Sequence, residues 1–193
     1  MAIKLTPDQT VGVFLSGGAD SALLLYLLTH LYPNQKIVLL TIASEDKKYN
    51  VRHAYDVVDY IKKHNKPTRI LDHVVVIAPD QSQRKDMRNC QVNVLTEKYS
   101  IDFWYSGKTK NPSIELDCHE ERKLERDADL QEWSDCGTVT NPFYGVDKSH
   151  LLEIYRERNL MRLFSLTISC EKSSIPCGDC WWCHERSWAE NAI

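Results

Sequence analysis

The 193-residue chain has no apolar run long enough to cross a bilayer, and its N-terminus lacks the charged-then-apolar pattern of a secretory leader. The expectation is a cytoplasmic protein without a membrane span. It also lacks an excess of charge: a formal value of -3 gives no electrostatic footprint for nucleic acid or an anionic surface, so direct nucleic-acid binding is not expected. There is no internal repeat and no low-complexity segment. Two familiar phosphate loops are missing as well. Neither the Gly-x4-Gly-Lys-Ser/Thr string nor the Gly-x-Gly-x-x-Gly of dinucleotide folds occurs.

What is present fits one compact domain, residues 1–193, with an apolar share of 42% and a substantial core. Near its start, Leu15-Ser16-Gly17-Gly18-Ala19-Asp20-Ser21 lies between a strand-like stretch, Val11 to Leu15, and a helix-like stretch, Ala22 to Leu31. A glycine-rich turn from a strand into a helix N-terminus presents unpaired N–H groups and the positive end of the helix dipole, a setting for polyphosphate. The structural alternative is a plain connection with Asp20 as N-cap.

Further along, Ile37 to Ile42 reads as a parallel strand covered on both faces, Asp72 to Ile77 as a third strand, Val51 to Lys63 and Lys85 to Tyr99 as helices, and Asp102 to Ser106 as a fourth strand. This alternation predicts an α/β fold with a doubly wound, mostly parallel sheet. It fails over residues 107–145, read as a long loop region rich in polar residues; within it the charged block Glu120 to Asp129 reads as a solvated helix face, with a lid or substrate loop as the alternative, and a helical pattern returns over Lys148 to Leu160.

Seven cysteines are an odd number for a disulfide framework, and four of them crowd into one stretch. Cys170, Cys177, Cys180 and Cys183 form a C-x6-C-x2-C-x2-C array at 170–183, which predicts a structural zinc site with a closed four-sulfur shell. An iron–sulfur cluster, buried thiols or disulfides remain alternatives, and His184 is read as a neighbour of the site. Trp181 and Trp182 are expected to pack against the main domain, with base stacking as the alternative. Cys90 is expected to be a small buried hydrophobe; Cys118 and Cys136 stand apart.

The Ser-Gly-Gly-x-Asp-Ser string resembles the pyrophosphate-binding loop of the N-type ATP pyrophosphatases, which split ATP into AMP and pyrophosphate. Read with the cysteine array, the chain resembles the 7-cyano-7-deazaguanine synthase family. Tyr49-Asn50-Val51-Arg52-His53 is similar to that family's Tyr-Gly-Gln-Arg-His. Asn141-Pro142-Phe143 before the helix from Lys148, and Ser169-Cys170 with Cys177-Gly178-Asp179-Cys180 and Cys183-His184-Glu185-Arg186, resemble its C-terminal part. Departures lie in the middle: Leu116-Asp117-Cys118-His119 stands where the family has Tyr-Pro-Asp-Cys-Arg, and Asn50-Val51 replaces Gly-Gln.

The resemblance implies the adenine nucleotide alpha hydrolase type of sheet, and ATP, Mg2+ and one structural Zn2+ as bound groups. It implies 7-carboxy-7-deazaguanine and ammonia as substrates, converted through adenylated intermediates to a nitrile; a homodimer is an open state of assembly. The nucleotide would lie along Leu15, Ser16, Gly17, Gly18, Ala19, Asp20, Ser21, Ala22 and Leu23, with Thr41, Ile42 and Ala43 at the adenine edge. Asp20, Ser21, Arg52, His53 and Lys108 are the implied catalytic set, with Lys110 as an alternative to Lys108; Arg52 and His53 are candidates for the substrate carboxylate or phosphate, or equally exposed residues at the start of a helix. Two other readings stay open: a tRNA-thiolating or other adenylating pyrophosphate-loop enzyme, and a non-catalytic nucleotide-binding module.

Overall fold

A computed structural model describes residues 5–6, 8–65, 67–112, 116, 131–134 and 137–192. The chain runs β1 (Thr10–Phe14), α1 (Ala19–Leu31), β2 (Lys36–Ser44), a 3-10 turn (Glu45–Lys47) and α2 (Tyr49–His64). Then follow β3 (Ile70–Ala78), α3 (Arg84–Tyr99), β4 (Phe103–Tyr105), β5 (Gln131–Ser134) and β6 (Gly137–Thr140). Three helices close it: α4 (Lys148–Glu157), α5 (Met161–Ser165) and α6 (Trp181–Asn191).

Among the described residues the sheet has six strands in the order β3-β2-β1-β4-β6-β5, parallel throughout except for β5, which pairs antiparallel with β6. Because side chains alternate along a strand, each strand feeds both faces. Val11, Val13, Ile37 and Leu39 turn to one face and pack under α1, α2, α4 and α5; Val38, Leu40, Ile42 and Trp104 turn to the other and meet Val92 and Leu95 of α3. The continuous apolar sequences of β1 and β2 follow from burial on both sides. The strand order reverses direction at β1, between β2 and β4, which opens a crevice beyond their carboxyl ends.

Several elements depart from the pattern of the sequence. Helix α1 begins at Ala19 with Gly18 as N-cap, so Asp20 is not a cap; its carboxylate is engaged elsewhere. The expected helix Lys148 to Leu160 ends at Glu157, where Asn159 adopts φ 56° and redirects the chain into α5. Residues 107–145 hold β5 and β6, strands of four residues each without an apolar run to announce them. Cys90, on α3, is exposed rather than buried. The charged block at 120–129, together with Asp117, Cys118, His119 and Cys136, lies outside the described residues. Among those described, no helix is long and apolar enough to cross a membrane.

Candidate active site and cysteine cluster

The turn after β1 is held by its own two serines. Ser16 Oγ accepts from Gly18 N at 3.2 Å and lies 3.1 Å from Ser21 Oγ; Ser21 Oγ donates to the Gly18 carbonyl at 3.1 Å and accepts from Ser16 N at 3.2 Å. Gly17 takes φ +81°, and a Cβ there would stand 2.6 Å from the Asn50 carbonyl, so both conformation and space require glycine. A Cβ on Gly107, just past β4, would sit 2.8 Å from Ser21 N, which lets the two strand ends close on each other. Ala19 anchors the start of α1 by accepting a 2.7 Å hydrogen bond from the buried Tyr155 hydroxyl.

Beyond the strand ends lies a cavity of about 800 Å3. Ser16, Gly18, Ala19, Asp20 and Ser21 form one wall, Ile42, Ala43 and Ser44 another, and Ser106, Gly107 and Lys108 a third. Helix dipole and loop amides face the same space as Lys47, Arg84, Lys85, Lys108 and Lys148. Such a ring of cations around a helix N-terminus suits an anion with several charges. Among the described residues Asp20 and Glu171 are the carboxylates on its wall, and one or two carboxylates beside phosphate oxygens is the setting Mg2+ favours.

Lys148 ties the cavity to the C-terminal helix. Its buried Nζ donates to Asp20 Oδ1 at 2.8 Å and lies 3.3 Å from Oε2 of Glu185, a residue with no exposed surface. A buried cation between two carboxylates holds its place because each charge compensates the other. The Asp147 cap of α4, accepting from Ser149 N and His150 N, fixes the turn from which Lys148 projects.

Not every residue that the sequence singled out faces the cavity. Leu15, Ala22 and Leu23 are core residues on either side of the loop, and Gly17 supports the turn from behind. Thr41 is buried, its hydroxyl donating to the Leu15 carbonyl at 2.6 Å and pairing with His73 Nε2 at 2.8 Å, so only Ile42 and Ala43 of that trio reach the cavity. Arg52 does not line it: it sits on the solvent side of α2, 87% exposed, 3.9 Å from Asp56. His53 also stays outside the lining and donates through Nδ1 to the Leu166 carbonyl at 2.7 Å. Lys110 spends its backbone N–H on Val146, while Lys108 lines the cavity.

The four cysteine sulfurs of the C-terminal array lie within 4.8 Å of one another, and Cys177 and Cys183 are 3.9 Å apart. Four thiols this close could hold one metal ion. Backbone N–H groups already aim at the sulfurs: Lys172 N at Cys170, and Asp179 N and Cys180 N at Cys177. At Cys170 burial pulls the thiol up, but hydrogen bonds from the Lys172 and Cys177 backbone and from Ser173 outweigh it and hold the thiol down to about 6, whereas burial pushes Cys183 up to about 12. Around the sulfurs there is little else: Ile168 packs with three of the cysteines, Tyr49 and Trp182.

This segment is laced to the loop after β1 and to the cavity. Ile168 N donates to the Gly17 carbonyl at 3.1 Å, Lys47 meets Glu171 at 3.3 Å, and Ser169, Glu171 and Trp182 line the cavity. Arg186 donates to the Thr167 and Phe164 carbonyls at 3.1 Å and lies over the Phe164 ring. Trp181 is buried and stands edge-to-face to Trp182, which packs against the cysteine cluster and lines the cavity.

Known proteins bear out the reading of loop and fold. The asparagine synthase family pattern matches residues 1–82, the part that carries β1, the loop, β2 and β3. A 7-cyano-7-deazaguanine synthase of Sulfurihydrogenibium sp. (strain YO3AOP1) is 23% identical over an alignment of 218 residues, spanning 94% of this chain and 94% of that protein. The chain resembles the 7-cyano-7-deazaguanine synthases along almost its whole length. NMN synthetase of Francisella tularensis shares the fold, with a TM-score of 0.53 and 13% identity over 89% of this chain and 69% of that one. A U34-tRNA thiolase of Methanococcus maripaludis, solved with its 4Fe-4S cluster, is also similar (TM-score 0.49, 13% identity, 96% of this chain and 64% of that one).

Sequence reasoning missed Lys47, Arg84, Lys85 and the electrostatic role of Lys148 and Glu185. Lys47 and Arg84 follow the carboxyl ends of β2 and β3, the position that open α/β sheets reserve for ligands, and that rule was a usable signal. Glu185 offered none: its partner lies 37 residues away on another helix.

Proposed function

We propose that the chain is an ATP-dependent ligase that converts 7-carboxy-7-deazaguanine and ammonia into 7-cyano-7-deazaguanine. The observation that carries this reading is the shared cavity: the pyrophosphate loop, a ring of cations and the cysteine-rich segment all face one space large enough for a nucleotide and a second small molecule. The full-length likeness to a named synthase supports the choice of acceptor.

A carboxylate resists substitution because its leaving group would be oxide. In the proposed reaction an acceptor oxygen attacks the α-phosphorus of ATP and pyrophosphate departs, held by the loop amides, Ser16 and Ser21. Ammonia then displaces AMP to give the amide. The amide oxygen attacks a second ATP, and loss of AMP with two N–H protons forms the nitrile. Asp20, kept in place by Lys148, and Lys108 stand beside the phosphates; the chain's work is positioning and charge neutralisation. Asp20, on the cavity wall, would be the residue to hold Mg2+, whose chemistry when bound would be neutralisation of phosphate charge.

For the four cysteines we assign a structural Zn2+. A tetrahedron with Zn–S bonds of about 2.3 Å places its sulfurs roughly 3.8 Å apart, near the 3.9 Å between Cys177 and Cys183. A four-iron cluster would give each cysteine its own iron and spread the sulfurs more widely. Incubating the purified protein with ATP, ammonia and 7-carboxy-7-deazaguanine tests the reading. AMP should form only when the acceptor is present; AMP formation indifferent to it would refute the assignment.

A further inference from the structure

With Arg52 turned to solvent, the acceptor carboxylate lacks the partner that the sequence suggested. The cavity contains another candidate. Arg84 begins α3, past β3, and its half-buried side chain lines the same cavity as the pyrophosphate loop. Unlike Lys47, paired with Glu171, and Lys148, held between Asp20 and Glu185, the Arg84 guanidinium makes no hydrogen bond or ion pair with any described residue. Burial and the neighbouring Arg88 both disfavour its charge, and Glu171 and Asp46 compensate only at a distance. A guanidinium withdrawn from water without a bonded partner is costly, and it is arranged for an anion that arrives later.

Resting on the function proposed above, we infer that Arg84 binds the carboxylate of the acceptor and selects the acid over uncharged analogues. Its planar fork matches a carboxylate, whereas the lysines around the loop are point charges suited to spread phosphate charge. The contact serves the first adenylation. Once the acid has become the amide, the negative charge is gone and Arg84 has little to hold, so the two halves of the reaction depend on it unequally.

That inequality is the test. Wild type, Arg84→Gln and Arg84→Lys are compared with 7-carboxy-7-deazaguanine and with the corresponding amide as starting substrates, following AMP release and the KM of each, with ATP varied separately. Arg84→Gln should lower the ratio of acid to amide kcat/KM on the order of 10- to 100-fold, mainly through the KM for the acid. Arg84→Lys should recover part of it. Since Arg84 makes no contact that holds the fold, the melting temperature should stay within a degree or two of wild type. An unchanged acid-to-amide ratio, or a loss confined to the KM for ATP, overturns the assignment and makes Arg84 a phosphate ligand or a bystander. A wild type inert toward both acceptors refutes the proposed function itself, a result visible without any variant.

Discussion

The two ends of the chain meet at one cavity but are built on different principles. The pyrophosphate loop is self-contained: between Ser16 and Ser21, two hydroxyls and two glycines satisfy the turn, and the sheet beneath supplies its rigidity. The cysteine-rich segment has almost no core of its own. Its small cluster of Ile168 and three cysteines leans on Tyr49 and Trp182, and its order rests on four thiols that a metal would bind and on hydrogen bonds lent by other elements. A site stabilised by the fold around it survives loss of a ligand; a site stabilised by its ligand does not.

Metal removal should therefore separate the two ends most strongly. Chelation is expected to lower the unfolding transition by several kcal/mol, with α6 and residues 168–183 losing hydrogen-exchange protection first while β1 and α1 keep theirs. An unchanged melting curve after verified metal loss would erase the contrast. Next comes the link between the ends. Lys148→Met leaves Glu185 buried without its cation and should cost about 3–5 kcal/mol, readable as a shift in denaturant midpoint. A cost below about 1 kcal/mol would mean that water reaches Glu185 and that the two ends are not coupled through it.

A smaller effect concerns the sheet between them. His73 donates from Nε2 to Thr41, whose hydroxyl is committed to Leu15, and its Nδ1 is buried without a partner, so burial and nearby Lys62 hold its pKa down to about 4. A histidine kept neutral by folding stabilises fully above its unfolded pKa of about 6.5 and loses that contribution as pH falls toward 4. Stability should decline over this window with a slope of at most about 1.4 kcal/mol per pH unit, and the decline should vanish in His73→Gln. Smallest of all, Arg52→Ala should leave both stability and acceptor-dependent AMP release near wild type, within roughly 0.5 kcal/mol. A large loss of turnover would restore Arg52 to the site.

How much could be read beforehand follows the same division. The loop was legible because its chemistry is contiguous and sits between two strongly apolar stretches, and the cysteine array because its spacing alone brings sulfurs together. Strands β1 and β2 announced themselves through the apolar runs that burial on both sheet faces requires, while β3, a half-buried edge strand, was legible from its run of β-branched residues. Strand β6 did not: four residues paired with β4 in the sheet carry no periodicity to detect. Lys47 and Arg84 were open to the rule that ligands lie beyond the carboxyl ends of strands, whereas Glu185 was illegible, since only the tertiary fold decides that α6 supports the same space. Arg52 shows the converse, where a motif likeness placed a residue near the site and the helix phase turned it outward.

The central claim is that this cavity joins ATP cleavage to nitrile formation. Mass spectrometry of the products from ATP, ammonia and 7-carboxy-7-deazaguanine tests it most directly. The account predicts 7-cyano-7-deazaguanine with two AMP released per nitrile, and the amide as the transient species between them. AMP without any modified deazaguanine, or a sulfur-containing product when a sulfur donor replaces ammonia, would contradict it.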